Sequence, residues 1–166
     1  MSDRPASGIR VGLGIDLHRR DASRPLLLGG VLFEGALGLA AHSDGDAVCH
    51  AVADGLLGAA GLGDIGMHFP DTDPAFSGIG GLDLLGRTVL ILRDAGFEPR
   101  QCDLTVLAEH PAIGPHREEI RGNLADALGL PPSMVSVKAT KPEGLGLVGD
   151  GAGCLAVVTV ALRDPS

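Results

Sequence analysis

The chain has 166 residues, of which 45% are apolar and 20% charged, and its formal net charge is −8. That length suits one domain, and with four Phe and no Trp or Tyr its core must be aliphatic. The acidic balance excludes nucleic acid as the main partner, because phosphate backbones are held by surplus Lys and Arg.

A membrane partner is not expected either, since no run of about 18 apolar residues occurs. The segment Met1 to Ser7 is polar and lacks the apolar stretch of a signal peptide, so the expected location is the cytoplasm. Cys49, Cys102 and Cys154 are odd in number and form no CxxC pair, which predicts small buried hydrophobes in a reducing compartment.

Residues Arg10 to His18 alternate as a strand does. Pro25 to Phe33, with Leu26-Leu27-Leu28 and a Gly29-Gly30 break, reads as a bent or bulged strand, paired with the first as a hairpin across Arg19 to Arg24. Asp44 to Ala60 is predicted as a helix, with Ser43 or Asp44 as its N-cap. Gly61 to Gly81 is a long loop rich in Gly, Pro and Asp, and a loop of about 20 residues in a compact domain is often functional. Leu82, Leu85, Val89 and Leu92 mark a second helix that Gly96 ends.

Further on, Gln101 to Glu109 alternates as a strand, and Pro115 opens a third helix that Gly129 closes. Val135 to Thr140 and Gly153 to Leu162 are two more strands. The order predicts an α+β fold with helices on one face of a sheet, in a single domain spanning residues 1–166 with 1–8 as a flexible N-terminus. The last strand is apolar at both sets of alternate positions, so both faces should be buried. Since the helices cover one face, other subunits are expected to cover the second.

Four groups of residues carry potential chemistry. Asp16-Leu17-His18 on a strand points a carboxylate and an imidazole to the same face, a two-ligand clip for a metal such as zinc. The same pair also fits a turn-capping Asp beside a surface His. In Ala41-His42-Ser43-Asp44-Gly45-Asp46, followed by His50, the helical spacing puts Asp46, His50 and Asp54 on one face. His50 could then supply a third zinc ligand and leave one position open, as a catalytic or substrate-orienting zinc requires; a solvated helix face is the alternative. Asp64-Ile65-Gly66 and Phe69-Pro70-Asp71-Thr72-Asp73 lie in the long loop and also suit ordinary turns. Thr140-Lys141-Pro142-Glu143, at a strand end, offers a hydroxyl, a cation and a carboxylate that could hold a diphosphate and its Mg²⁺, or form a polar turn.

Taken together and in this order, DxH, AHSDGDxxxH, LGDIG, FPDTDP, KAT and ExLG resemble the 2-C-methyl-D-erythritol 2,4-cyclodiphosphate synthase family over about Arg10 to Leu162. The resemblance implies a homotrimer whose three sheets pack around a threefold axis, with active sites between subunits. It implies a metal-dependent, cyclising phosphorus-oxygen lyase of the non-mevalonate isoprenoid pathway. In that reaction the 2-phosphate of 4-diphosphocytidyl-2-C-methyl-D-erythritol 2-phosphate attacks the β-phosphorus and CMP leaves.

By position, the resemblance makes Asp16, His18 and His50 zinc ligands, with Asp16 and His18 also beside the substrate. His42 and Ser43 become substrate contacts, with His42 stabilising the transition state. Asp64, Ile65, Gly66, Phe69, Pro70, Asp71, Thr72 and Asp73 become the erythritol wall. Glu143 becomes the ligand of Mg²⁺ or Mn²⁺, with Lys141 as a catalytic cation nearby. Ala108, Glu109, His110, Pro111, Ala112, Ile113 and Gly114, with Thr140, Lys141, Pro142 and Glu143, become a cytidine pocket supplied by a neighbouring subunit.

The chain departs from the family pattern in two places. Lys141-Pro142 stands where a second Thr is usual, and Gly144 replaces a Lys. Gly149-Asp150-Gly151-Ala152-Gly153 replaces Gly-Arg-x-Glu-Gly. Three Asp150 carboxylates near a threefold axis would disfavour an anion there, so weak binding of geranyl or farnesyl diphosphate is expected. Two rival functions share the zinc triad: a phosphoester hydrolase using metal-bound water, and a trimeric ligand-binding protein with a structural metal.

Overall fold

The structure is a computed structural model that describes residues 8–146, 148 and 151–162. Residues 1–7, which hold most of the expected flexible N-terminus, and Asp150 lie outside the described residues.

A mixed four-stranded sheet carries the fold. It contains β1 (Ile9–His18), β6 (Phe97–Leu107), β7 (Val135–Thr140) and β8 (Ala152–Leu162) in the order β1-β8-β6-β7. β8 runs antiparallel to both neighbours, while β6 and β7 run parallel. Short ribbons pair β2 (Arg20–Asp21) with β5 (Gly38–Leu39), and β3 (Leu26–Leu28) with β4 (Val31–Phe33).

The expected hairpin between Arg10–His18 and Pro25–Phe33 does not form; β1 pairs with β8 instead. The second segment is itself a hairpin rather than a bulged strand. Gly29 and Gly30 have φ of 58° and 73°, left-handed values at both positions of a two-residue turn, which reverse the chain with the twist that strands prefer. The buried Asp46 carboxylate holds this turn, accepting from Gly29 N at 2.8 Å and Gly30 N at 2.7 Å.

Asp46, not Ser43 or Asp44, is also the N-cap of α1 (Ala47–Ala60), accepting from Val48 N and Cys49 N. Asp44 instead accepts from Gly81 N at 2.6 Å, at the first residue of α3 (Gly81–Asp94). The long loop contains α2 (Ile65–His68) and a 3₁₀ turn at Pro74–Phe76. Gly129, at φ 68°, closes α4 (Arg117–Leu128) as its sequence suggests.

The helices cover one face of the sheet, as expected for an α+β fold. Cross-strand register puts Gly12, Gly14, Cys102, Leu104, Val106, Cys154, Ala156 and Val158 on that face, all buried. α1 lies against β1 and β8, α4 packs on β7, and α3 packs between α1 and α4. The three cysteines are free and buried, and burial pushes the Cys102 thiol up to about 12. No described helix is long and apolar enough to cross a membrane.

The opposite face is aliphatic on β1 and β8. Ile9, Val11, Leu13, Ile15 and Leu17 are each about half exposed or more, and Val157 is 44% exposed beside Leu13. On β6 and β7 the same face turns polar, with a Lys138–Asp103 ion pair of 2.7 Å across the two strands.

Candidate metal centre and substrate cleft

The site begins with two glycines. A Cβ at Gly12 would lie 1.9 Å from the Gly55 carbonyl oxygen, and one at Gly14 would lie 1.8 Å from that of Ala51. Their lack of side chains lets α1 lie directly on the β1 backbone. His50, the residue before Ala51, thereby meets Asp16, two residues after Gly14.

One carboxylate oxygen of Asp16, Oδ2, is 2.7 Å from His18 Nε2 and 3.1 Å from His50 Nδ1. The ligand atoms of the three residues lie within 4.8 Å of one another, and no other such group of His, Cys, Asp or Glu occurs among the described residues. The outer ring nitrogens are also held. His18 Nδ1 donates to the Ala40 carbonyl at 2.8 Å, and His50 Nε2 is 3.1 Å from Ser43 Oγ. Such partners fix ring orientation and tautomer in metal sites.

The donor chemistry fits a divalent cation. With Nδ1–H committed to Ala40 and the Asp16 carboxyl ionised, His18 Nε2 can face that oxygen at 2.7 Å only by carrying a second proton or by sharing a cation with it. Burial alone would raise the Asp16 carboxyl, but hydrogen bonds from His18 and His50 outweigh it and hold the group at about 2. The Asp16 carboxylate in turn raises His18 above its ordinary value, against the opposing pull of burial. Two imidazoles and one carboxylate are the ligand set of a borderline metal with an open position.

Around the triad opens a cleft of about 470 Å³, lined by Asp16, His18, His42, Ser43, His50, Ile65, Gly66, Phe69, Pro70, Asp71 and Thr72. Strand, helix and long loop thus meet as the motifs suggest. Asp64 and Asp73 do not line the cleft. Asp64 caps α2 by accepting from Met67 N, and Asp73 caps the 3₁₀ turn by accepting from Ala75 N. Asp54 anchors the wall from below, accepting from Ile65 N at 2.8 Å, and burial raises its carboxyl. Asp46, His50 and Asp54, one helical face in sequence, therefore do three different jobs: cap, ligand and anchor.

Sequence reasoning missed Ala40, Ala41, Phe76, Ile79 and Leu84 in the lining. It also missed Arg24, whose guanidinium donates to the carbonyls of Ala41 and Ser43. The apolar residues of the long loop were a usable signal; a lone Arg in a polar turn was not.

The second group of predicted residues gathers elsewhere in the chain. The Ala108–Gly114 segment follows β6 and Thr140–Glu143 ends β7. They are joined by Ala108 N donating to Thr140 O at 3.3 Å and by Gly144 N donating to Glu109 Oε1 at 2.8 Å. Glu109, His110 and Pro111 line a second cleft of about 850 Å³ with Arg20 and Glu34 to Leu37. Thr140, Lys141 and Glu143 are exposed, and Glu143 has a left-handed φ of 53°. None of these residues lines the triad's cleft within one chain.

A profile of the YgbB family matches residues 9–163. The 2-C-methyl-D-erythritol 2,4-cyclodiphosphate synthase of Symbiobacterium thermophilum is 50% identical over 155 residues, covering 92% of this chain and 99% of that one. Among solved structures, the bifunctional IspDF from Campylobacter jejuni superposes with a TM-score of 0.90 at 40% identity, over 96% of this chain and 44% of that one. A 2C-methyl-D-erythritol-2,4-cyclodiphosphate synthase in a form bound to CDP superposes with a TM-score of 0.84 at 38% identity, over 91% and 99% of the two chains.

Proposed function

The chain belongs to the YgbB family, and from that premise we propose that it converts 4-diphosphocytidyl-2-C-methyl-D-erythritol 2-phosphate to 2-C-methyl-D-erythritol 2,4-cyclodiphosphate and CMP. The observation that carries this reading is the convergence of Asp16, His18 and His50 in a cleft also lined by Ile65, Gly66 and Phe69 to Thr72. This makes the enzyme a cyclising phosphorus-oxygen lyase of isoprenoid biosynthesis, working in the cytoplasm.

The nucleophile is an oxygen of the substrate's own 2-phosphate. Its bond to the β-phosphorus forms as the bond from that phosphorus to the bridging oxygen breaks, and the electron pair leaves with CMP. No side chain need attack, so the protein's task is positioning and charge. Asp16, His18 and His50 would hold zinc and Glu143 would hold Mg²⁺ or Mn²⁺; the two cations would supply positive charge that offsets repulsion between the phosphates. His42 and Ser43 contact the phosphates from the cleft wall, and His42 stabilises charge as it develops. Ile65, Gly66 and Phe69 to Thr72 enclose the erythritol, with Asp64 and Asp73 shaping that wall through their caps. Lys141 adds a cation at the loop of Glu143.

Cytidine is read by Ala108 to Gly114 with Thr140 to Glu143. Because these residues stand apart from the triad's cleft in one chain, we assign them to a neighbouring subunit's site. The assembly is a homotrimer closed through the aliphatic face of β1 and β8, since five half-exposed aliphatic residues on one strand are costly in water. Each subunit is one domain built on a single core cluster.

Incubating the protein with the diphosphocytidyl substrate, Zn²⁺ and Mg²⁺ tests the reading. CMP and a cyclic diphosphate are expected by phosphorus NMR. Inorganic phosphate or a linear product would instead establish the hydrolase, and no turnover would leave a ligand-binding protein.

A further inference from the structure

His42 carries a role in the cleft, yet among the described residues its exposed ring has no hydrogen-bond partner. Ring placement therefore depends on where the backbone of residues 41–43 lies. That backbone belongs to neither a helix nor a strand, for β5 has ended at Leu39 and α1 has not begun. On one edge it is held by the loop beyond the 3₁₀ turn, where Gly78 N donates to His42 O at 3.3 Å and Asp44 N donates to Ile79 O at 3.2 Å. Among the described residues the carbonyls of Ala41 and Ser43 are held by Arg24, donating from Nη1 to Ala41 O and from Nη2 to Ser43 O.

The geometry points to Arg24 as a positioning residue that sets the His42 ring in the cleft by clamping the carbonyls on either side of it. The chain bends at His42 and Ser43, and the carbonyls of Ala41 and Ser43 both face the one guanidinium. A planar guanidinium spans such a pair with two rigidly related N–H donors, whereas an ammonium offers one compact point of charge. The clamp is itself well anchored. Arg24 O accepts from Gly38 N at 3.0 Å, and Asp21 braces the turn before it by accepting from Ser23 N and Ser23 Oγ. Gly38 has no room for a side chain there, since a Cβ would lie 2.4 Å from both Arg24 O and Pro25 O.

Arg24 makes no hydrogen bond to Asp16, His18 or His50, though the Ser43 it holds stands 3.1 Å from His50 Nε2, so loss of the clamp should disturb His42 more than it weakens the metal site. The inference rests on the catalytic role of His42 proposed above. In Arg24→Ala, kcat should fall by about 10²-fold, the scale of an ångström-sized misplacement, while KM changes far less. Zinc content by elemental analysis, in protein loaded with excess zinc, should match the parent protein. Added guanidinium ion should restore much of the lost kcat, and methylammonium at equal concentration should not. Arg24→Lys keeps the charge and the long stem but should be impaired nearly as much, which covers the case of an unstable Ala variant.

Parent-level kcat in either variant would overturn the clamp. So would a loss accompanied by equal loss of zinc, or one relieved equally by both cations. Absence of CMP release from the parent would sink the functional reading instead. The clamp would then be decided by the His42 ring resonance, which must shift or broaden in Arg24→Lys; an unchanged resonance overturns it.

Discussion

Gly14 touches Ala51: a Cβ on the glycine would lie 1.8 Å from the Ala51 carbonyl oxygen. This backbone-on-backbone contact between β1 and α1 sets the distance between Asp16 and His50. Gly14→Ala must push the helix outward, and overpacking of this kind costs about 1–3 kcal/mol or more. The expected result is a lower unfolding midpoint together with weaker zinc retention on dialysis. A variant that is less stable yet holds zinc as tightly as the parent would show that the triad tolerates the helix shift.

The two proposed metal sites should separate by mutation. His50→Ala is expected to lose zinc and nearly all activity with the assembly intact. Glu143→Gln should keep its zinc and require at least about tenfold more Mg²⁺, because losing a direct ligand should cost no less than losing an outer partner. Elemental analysis and a Mg²⁺ titration read the two outcomes, and full zinc occupancy in His50→Ala would remove His50 from the site.

Stability of the metal-free protein should depend on pH in two directions. Asp16 is depressed from 3.8 to about 2, so its contribution is present above about pH 4 and is lost as pH falls toward 2. His18 is raised above 6.5, so its contribution is complete below that value and is lost as pH rises through the folded value. The pair therefore stabilises the metal-free protein most between about pH 4 and 6.5. With zinc bound, His18 serves as a neutral ligand and the alkaline loss should disappear. Urea midpoints of chelator-treated and zinc-loaded protein from pH 3 to 9 would show this, and identical profiles would refute it.

Leu13 is 60% exposed in the single chain and pairs with Val157 at the centre of the aliphatic face. Each such aliphatic residue contributes on the order of 1.5–3 kcal/mol when buried, and a buried unpaired carboxylate costs several. Leu13→Asp should therefore sediment as a folded monomer without activity, while the parent sediments as a trimer. A trimeric Leu13→Asp protein would place the interface elsewhere.

The grouping of Asp16, His18 and His50 was suggested by local periodicity: i and i+2 on a strand, and one helical face around His50. Spacing alone also fitted a turn cap and a solvated face, and the family resemblance chose between them. Helices α1, α3 and α4, the last two strands and the apolar second face were readable from the same periodicity, whereas α2 within the long loop was not. Strand partners were not. Whether residues Arg10 to His18 pair with Pro25 to Phe33 or with the chain's last strand is a question about segments far apart in sequence. Left-handed φ at Gly29 and Gly30 answered it by closing the nearer segment on itself. Side-chain roles within a motif also escaped sequence reasoning: Asp44, Asp46, Asp64 and Asp73 have a ligand's chemistry, but each accepts from backbone N–H groups and caps or braces a turn. A carboxylate's task depends on which donors the fold brings within 3 Å of it, and only the tertiary structure decides that.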